Sequence, residues 1–265
     1  MVAKKEKVRL DVAVHERGLT ESREKARGMI MAGEVLVNGK AIDKPGTRVR
    51  ISDDITLTAK PRFVSRGGEK LEGALQVFDV SPAGLICADV GASTGGFTDC
   101  LIQNGATRVY AIDVGYGQLA YTLRQNPRVV TMERTNARYI EALEDQPDLV
   151  VIDASFISLR LLIPVIKSWL HHKSQIVALI KPQFEAGRDD VGKGGVIRDA
   201  AIHANVIHAS VINARDMGFV VRDLSKSNLK GPAGNVEFFI HLSCSGQALS
   251  DAKILEKVRQ LTDTS

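Results

Sequence analysis

The sequence predicts an α/β chain in two parts: a small α+β unit, then a larger doubly wound sheet, mostly parallel, whose last strand runs antiparallel. Three observations carry this reading. Positive charge is concentrated in residues 1–70, where 16 Lys and Arg face 10 Asp and Glu; the rest of the chain holds 19 and 21. From Lys70 onward, short apolar runs alternate with helical stretches, the pattern of βαβ units. Near the end, Gly231-Pro232-Ala233-Gly234 leads into the apolar run Val236 to Leu242 with no helix between, so the last strand turns back as a hairpin.

In the first unit, Val8, Leu10, Val12, Ala13 and Val14, with Leu19, predict a short helix ending at Gly18. Thr20-Glu21-Ser22 offers cap chemistry for a second helix, Arg23 to Ala32, stopped by Gly33. Residues 34–40 alternate around Asn38-Gly39, a tight-turn signal. Pro45-Gly46 marks another turn, and Ile51 to Thr58 predicts a further strand. Residues 1–60 thus form one unit, and 61–69 (PRFVSRGGE) read as a linker. Residues 70–246 form the main domain, and 247–265 a C-terminal helix or tail.

Within the main domain, strands are predicted at Leu85 to Val90, Val109 to Val114, Val129 to Met132, Leu149 to Ile152, Ile176 to Ile180 and Phe219 to Leu224. Helices are predicted over 70–79, 96–104, 136–143, 157–171 and 200–217.

Composition excludes several classes. The chain has 265 residues, 44% hydrophobic and 25% charged, and lacks the unbroken apolar run of about 18 residues that a membrane helix needs. Its N-terminal MVAKKEKVRLDVAV is too broken by charge to serve as a signal-peptide core. Cys87, Cys100 and Cys244 are odd in number and lack metal-ligand spacing, so they read as buried thiols of a reduced, cytoplasmic compartment. The basic first unit has the footprint of a polyanion binder.

The segment LICADVGASTGGFTDCLIQNG (85–105) carries the most chemistry. An apolar strand ends in Asp89-Val90-Gly91, and Gly95-Gly96 opens a helix, so the backbone can approach a ligand at a helix N-terminus. The dinucleotide pattern G-x-G-x-x-G fails, because Ser93 stands where its second glycine belongs. An acidic strand end suits S-adenosylmethionine, whose sulfonium and ammonium are cationic, better than a pyrophosphate. Asp113 ends the next strand, where a carboxylate can accept both ribose hydroxyls of an adenosine. The expected cofactor contacts are Asp89, Gly91, Ala92, Ser93, Gly95, Gly96, Phe97, Asp113, Asn136 and Asp153. Two further patterns are decoys. Gly187 to Lys193 opens like a phosphate-binding loop, but Gly194 replaces its Ser or Thr, leaving two readings, a mobile loop over the site or a plain disordered loop. Adjacent His171 and His172 do not share a helix face and have no third ligand at metal spacing, so they read as a helix end and no metal is expected.

AGEVLVNGKAIDKPGTRV (32–49) resembles the small RNA-binding domain first described in a ribosomal small-subunit protein, over roughly residues 7–60. That resemblance implies phosphate contacts by Arg9, Arg23, Lys25, Arg27 and Lys44; Arg66 is added as a linker candidate. DVGASTGGFTD, AIDVGYGQL, ERTNAR, VIDASFISL, LIKPQFEAG, GVIRD and GPAGNVEFF resemble the TlyA-type ribosomal RNA methyltransferases, often labelled haemolysins and related to the FtsJ-type ribose methyltransferases. The resemblance implies a Rossmann-like methyltransferase sheet and methyl transfer to a cytidine 2′-hydroxyl of ribosomal RNA or ribosomal subunits. It also implies a catalytic set of Lys70, Asp153, Lys181 and Glu237.

Those residue types suit the reaction. A ribose hydroxyl is a poor nucleophile until its proton leaves, and an amine takes that proton only when burial or a neighbouring cation depresses its pKa. Lys181 and Asp153 end neighbouring predicted strands on the ligand side of the sheet. Lys70 starts a helix and Glu237 begins the last strand. Three other readings stand beside this one: a membrane-active haemolysin, an RNA-binding protein with a passive methyltransferase fold, and a pseudouridine synthase.

Overall fold

The computed structural model describes residues 7–58, 61–187, 190–192 and 194–263. The chain divides after Pro61 into two compact units.

The small unit opens with β1 (Lys7–Arg9), α1 (Leu10–Glu16) and α2 (Arg23–Met31), followed by β2 (Val35–Val37), β3 (Lys40–Ala41), β4 (Arg48–Arg50) and β5 (Ile55–Leu57). Val8 therefore belongs to a strand rather than the first helix, paired with Val49 of β4. Arg9 is extended, with ψ 144, and its guanidinium turns back onto Asp11, which fixes the helix start one residue later. The Ser22 hydroxyl accepts from the Lys25 amide and caps α2 as expected. Asn38 and Gly39 take positive φ of 51° and 77°, the primed turn that matches strand twist between β2 and β3. The strand expected from Ile51 begins only at Ile55. Asp53 accepts from the Arg50 amide and from Asn38 Nδ2, closing a turn that leaves Ile51 63% exposed. Leu10, Ala13, Val14, Ala26, Ile30, Val35, Val49 and Ile55 form the core of this unit.

The large unit is built on a seven-stranded sheet. Its strands are β6 (Ile86–Val90), β7 (Arg108–Ile112), β8 (Val129–Met132), β9 (Leu149–Ile152), β10 (Gln175–Ile180), β11 (Val220–Lys226) and β12 (Phe238–Ser243). Their order is β11-β12-β10-β9-β6-β7-β8, and β12 runs antiparallel to both its neighbours. Helices are α3 (Gly67–Phe78), α4 (Gly96–Gln103), α5 (Tyr121–Arg124), α6 (Leu159–Lys167), α7 (Pro182–Glu185), α8 (Ala200–Asp216) and α9 (Asp251–Thr262). Strand residues alternate between two cores. Val150, Ile152, Ile176, Ala178 and Ile180 face α6, α8 and α9, whereas Leu149, Val151, Val177 and Leu179 face α3 and α4. Both faces are covered, so the strands read as unbroken apolar runs.

Three expected boundaries move. Over 136–143 there is a single 3-10 turn, Ala137–Tyr139, because Trp169 Nε1 and Ser168 Oγ donate to the carbonyls of Ile140 and Glu141 and hold that backbone out of a helix. The helix expected over 157–171 spans only Leu159–Lys167, capped by Ser158 and preceded by Phe156 at φ 63°. The helix after the expected linker starts at Gly67, three residues before Lys70. Phe63 is buried in the core of the large unit, so much of 61–69 packs rather than links. Cys87 and Cys100 are buried, but Cys244 is only half-buried. No helix among the described residues is long and apolar enough to cross a membrane.

Candidate active site

Strand order reverses at β6, which leads on to β7 on one side while β9 and β10 lie on the other. In such sheets the crevice at the carboxyl ends of the strands receives ligands. Gly91, Asp113, Asp153 and Lys181 each follow the last residue of β6, β7, β9 and β10, so the topology gathers them at one edge. Gly91 has φ 90°, and a Cβ there would lie 2.7 Å from the Asp153 carbonyl oxygen. Only glycine lets β6 and β9 end this close together.

Two cavities open at this edge. One, of about 540 Å³, is lined by Lys70, Asp153, Lys181 and Glu237 together with Ser65, Arg66, Thr94 and Lys230. The other, of about 500 Å³, is lined by Ile112, Asp113, Gln118, Asn136, Ala137 and Leu162, among others. Gly91, Ser93, Asp153 and Ser155 line both.

The four residues of the implied catalytic set are brought together as two ion pairs. Lys70 Nζ lies 2.6 Å from Glu237 Oε2, both side chains nearly buried. Lys181 Nζ lies 2.6 Å from Asp153 Oδ1 and donates to Ser155 Oγ at 2.9 Å. Gly231 passes so close to Glu237 that a Cβ there would meet Oε1 at 2.5 Å, so the loop after β11 packs onto that carboxylate.

The expected cofactor residues divide. Asp113 accepts from the amides of Ser93 and Gly115, and its carboxylate lines the second cavity beside Asn136. Gly91, Ala92, Ser93, Gly96 and Phe97 line the first. Asp89 and Gly95 line neither. Asp89 is fully buried, accepts from Thr98 Oγ1 at 2.6 Å, and leaves Oδ1 with no partner among the described residues. Burial, reinforced by Asp153 and Asp113, pushes its pKa up to about 7.

Of the expected RNA contacts, Arg9 and Arg23 both bind the buried Asp11, and Lys25 pairs with Glu21. Arg27 and Lys44 are exposed, as is Arg66, which lines the cavity of the ion pairs. His171 Nε2 bonds Asp148 Oδ1 in the turn after α6. No three His, Cys, Asp or Glu among the described residues are placed to hold a metal ion. In the loop Gly187 to Lys193, residues 188, 189 and 193 lie outside the described residues. Sequence reasoning missed Ser155, Lys230 and Gln118. The one available signal was that each lies within a few residues of a motif it did single out.

Two family descriptions match the chain: FtsJ-like methyltransferase over residues 63–244 and S4 domain over residues 8–55. The chain is 48% identical to YqxC of Bacillus subtilis, covering 100% of this chain and 96% of that one. It is 44% identical to the Mycobacterium tuberculosis protein named 16S/23S rRNA (cytidine-2′-O)-methyltransferase TlyA, covering 94% and 95%. A solved structure from Streptococcus thermophilus that carries the name hemolysin superposes with a TM-score of 0.74 at 45% identity, covering 97% of this chain and 96% of that one. The chain therefore belongs to the FtsJ-like methyltransferases of the TlyA type and carries an N-terminal S4 domain.

Proposed function

We propose that this protein transfers a methyl group from S-adenosylmethionine to the 2′-hydroxyl of a cytidine in ribosomal RNA, in the cytoplasm. The observation that carries the reading is the pair of cavities meeting at Gly91, Ser93, Asp153 and Ser155. One has an apolar slot and a carboxylate acceptor for an adenosine, and the other the groups for an attacking hydroxyl. The M. tuberculosis relative's name supports the same chemistry.

The second cavity fits the cofactor. Ile112, Ala137 and Leu162 offer an apolar slot for adenine, and Asp113 an acceptor for ribose hydroxyls. When bound, the cofactor supplies an electrophilic methyl carbon. In its neutral form, once its own proton has left to solvent, Lys181 takes the proton of the ribose hydroxyl at Nζ, while Asp153 and Ser155 Oγ hold that nitrogen in place. Lys70 and Glu237 hold the hydroxyl from the far side of the cavity. Arg27 and Lys44 of the S4 domain, with Arg66, supply phosphate contacts. Arg9 and Arg23 share the single carboxylate of Asp11, so that cluster keeps a net positive charge, whereas Lys25 is neutralised one to one by Glu21.

Lys181→Ala should lower kcat by roughly 10²–10⁴-fold, with cofactor affinity by calorimetry nearly unchanged. A target nucleotide in 2′-deoxy form should accept no methyl. Label recovered on the base, or normal turnover by the variant, overturns the mechanism.

A further inference from the structure

A third cavity, of about 340 Å³, lies beside the catalytic one and is lined by Arg198, His203, Lys226 and Lys230. Lys230 lines both cavities. Among the described residues no carboxylate lines the third cavity, and Arg198, Lys226 and Lys230 have no ion-pair partner. Asp199, next in sequence to Arg198, is engaged as the cap of α8, accepting from the Ala201 amide. His203 is 5% exposed, and its Nε2 has no hydrogen-bond partner among the described residues. Burial, with a smaller contribution from Lys226, depresses its pKa, so the ring itself adds little charge. Three cations with no ion-pair partner among the described residues, gathered around one concavity, are an arrangement completed by an anion.

The cavity is also built rather than incidental. Asn235, 1% exposed, accepts from the Ile197 amide through Oδ1 and donates to the Gly195 carbonyl through Nδ2. One side chain thus ties the segment carrying Arg198 to the loop carrying Lys230. That same loop packs onto Glu237 through Gly231.

We infer that this cavity binds a phosphodiester of the RNA backbone next to the nucleotide whose ribose enters the catalytic cavity, with Lys230 between the two. The inference rests on the reading of the catalytic cavity as a ribose site. Arg198 and Lys226 are then positioning residues: they fix the strand so that the hydroxyl reaches Lys181.

The test compares Arg198→Ala/Lys226→Ala with wild type, and with Lys253→Ala/Arg259→Ala, which removes two exposed cations from α9 that line neither this cavity nor the catalytic one. Lys230 is left in place. Binding to purified ribosomal RNA across a salt series should weaken, and the salt slope should become shallower by up to about 0.7, the share of one phosphate on a single strand. The control should keep the wild-type slope. In methyl transfer the variant should raise KM at least tenfold with kcat within about threefold, since phosphate contacts position while the reacting groups are untouched. Equal affinity and slope in variant and wild type overturn the inference, as does an identical loss in the control. The binding arm uses no methyl transfer. A failure of ribose methylation would therefore sink the proposed function while leaving the salt slopes to decide this one.

Discussion

Asp11 in the small unit and Asp89 in the large one are both aspartates with 0% exposure, and they are electrostatic opposites. Asp11 carries its own cations: Arg9 and Arg23 both reach it at 2.9 Å, and the Val12 amide donates to it as well. The Arg9 hydrogen bond, with help from Arg23, holds its pKa down at about 2. Asp89 has one hydroxyl on one oxygen and no partner among the described residues on the other, and its pKa is pushed up to about 7. The difference separates two uses of a buried carboxylate. A unit of about 60 residues has little apolar surface to bury, so a charge clip between the start of α1 and α2 adds to its closure. In the large unit the sheet already supplies the core, and an uncompensated carboxylate is tolerated directly beneath the loop where β6 gives way to α4.

The comparison breaks most visibly at Asp89. The folded-state pKa is raised, so the fold favours the protonated acid: its contribution is intact below the ordinary value of 3.8 and is lost as pH climbs through about 7. Asp89→Asn keeps the shape and removes the charge. It should stabilise the large unit at pH 8 by up to about 4 kcal/mol, and scarcely at all at pH 4. Urea unfolding at the two pH values measures this, and an equal difference at both would mean that Asp89 does not titrate in this range.

Asp11 predicts the reverse dependence at smaller scale. Its folded pKa is depressed, so its stabilisation is present above pH 3.8 and disappears as pH falls through about 2. Asp11→Asn should cost the small unit on the order of 2 kcal/mol at neutral pH and flatten that acid loss. Amide exchange in α1 and α2 reports on this unit separately from the sheet. Unchanged protection in the variant would leave the clip without a stabilising role.

The same contrast shows what a sequence displays and what it conceals. The strands of the sheet were legible because both faces are buried, and their ends located Asp113, Asp153 and Lys181 without any contact being visible. Glu237 and Lys70 were legible only as parts of ordered motifs. That they meet 167 positions apart in an ion pair follows from β12 inserting between β10 and β11. Gly67-Gly68 misled, because paired glycines ahead of a charged stretch look like a linker. Here a Cβ on Gly68 would run into the Phe63 ring, and one on Gly96 into Ser65 Oγ, so the glycines serve close packing of α3 on α4. The 136–143 helix misled for a different reason: its competitor is a tryptophan almost thirty residues away. Arg9 and Arg23 looked like free cations because nothing local reveals that Asp11 turns inward between them.

The smallest effect sharpens the comparison furthest. At neutral pH Asp89 is divided between its acid and carboxylate forms, and Asp113 and Asp153 already weigh on that balance through space. A cationic ligand in the cavity beside Asp113 and Asp153 offsets their field and favours the carboxylate, so binding should release a fraction of a proton. S-adenosylmethionine binding followed by calorimetry at pH 7, in phosphate and in Tris, should then give apparent enthalpies that differ by that fraction times the difference in buffer ionisation heat. Asp89→Asn should bring the two enthalpies together while Asp11→Asn leaves them apart, because Asp11 is fully ionised there and has no proton to give. Identical enthalpies in the two buffers for the wild type would make Asp89 as silent toward ligand as Asp11, and its missing partner a purely structural feature.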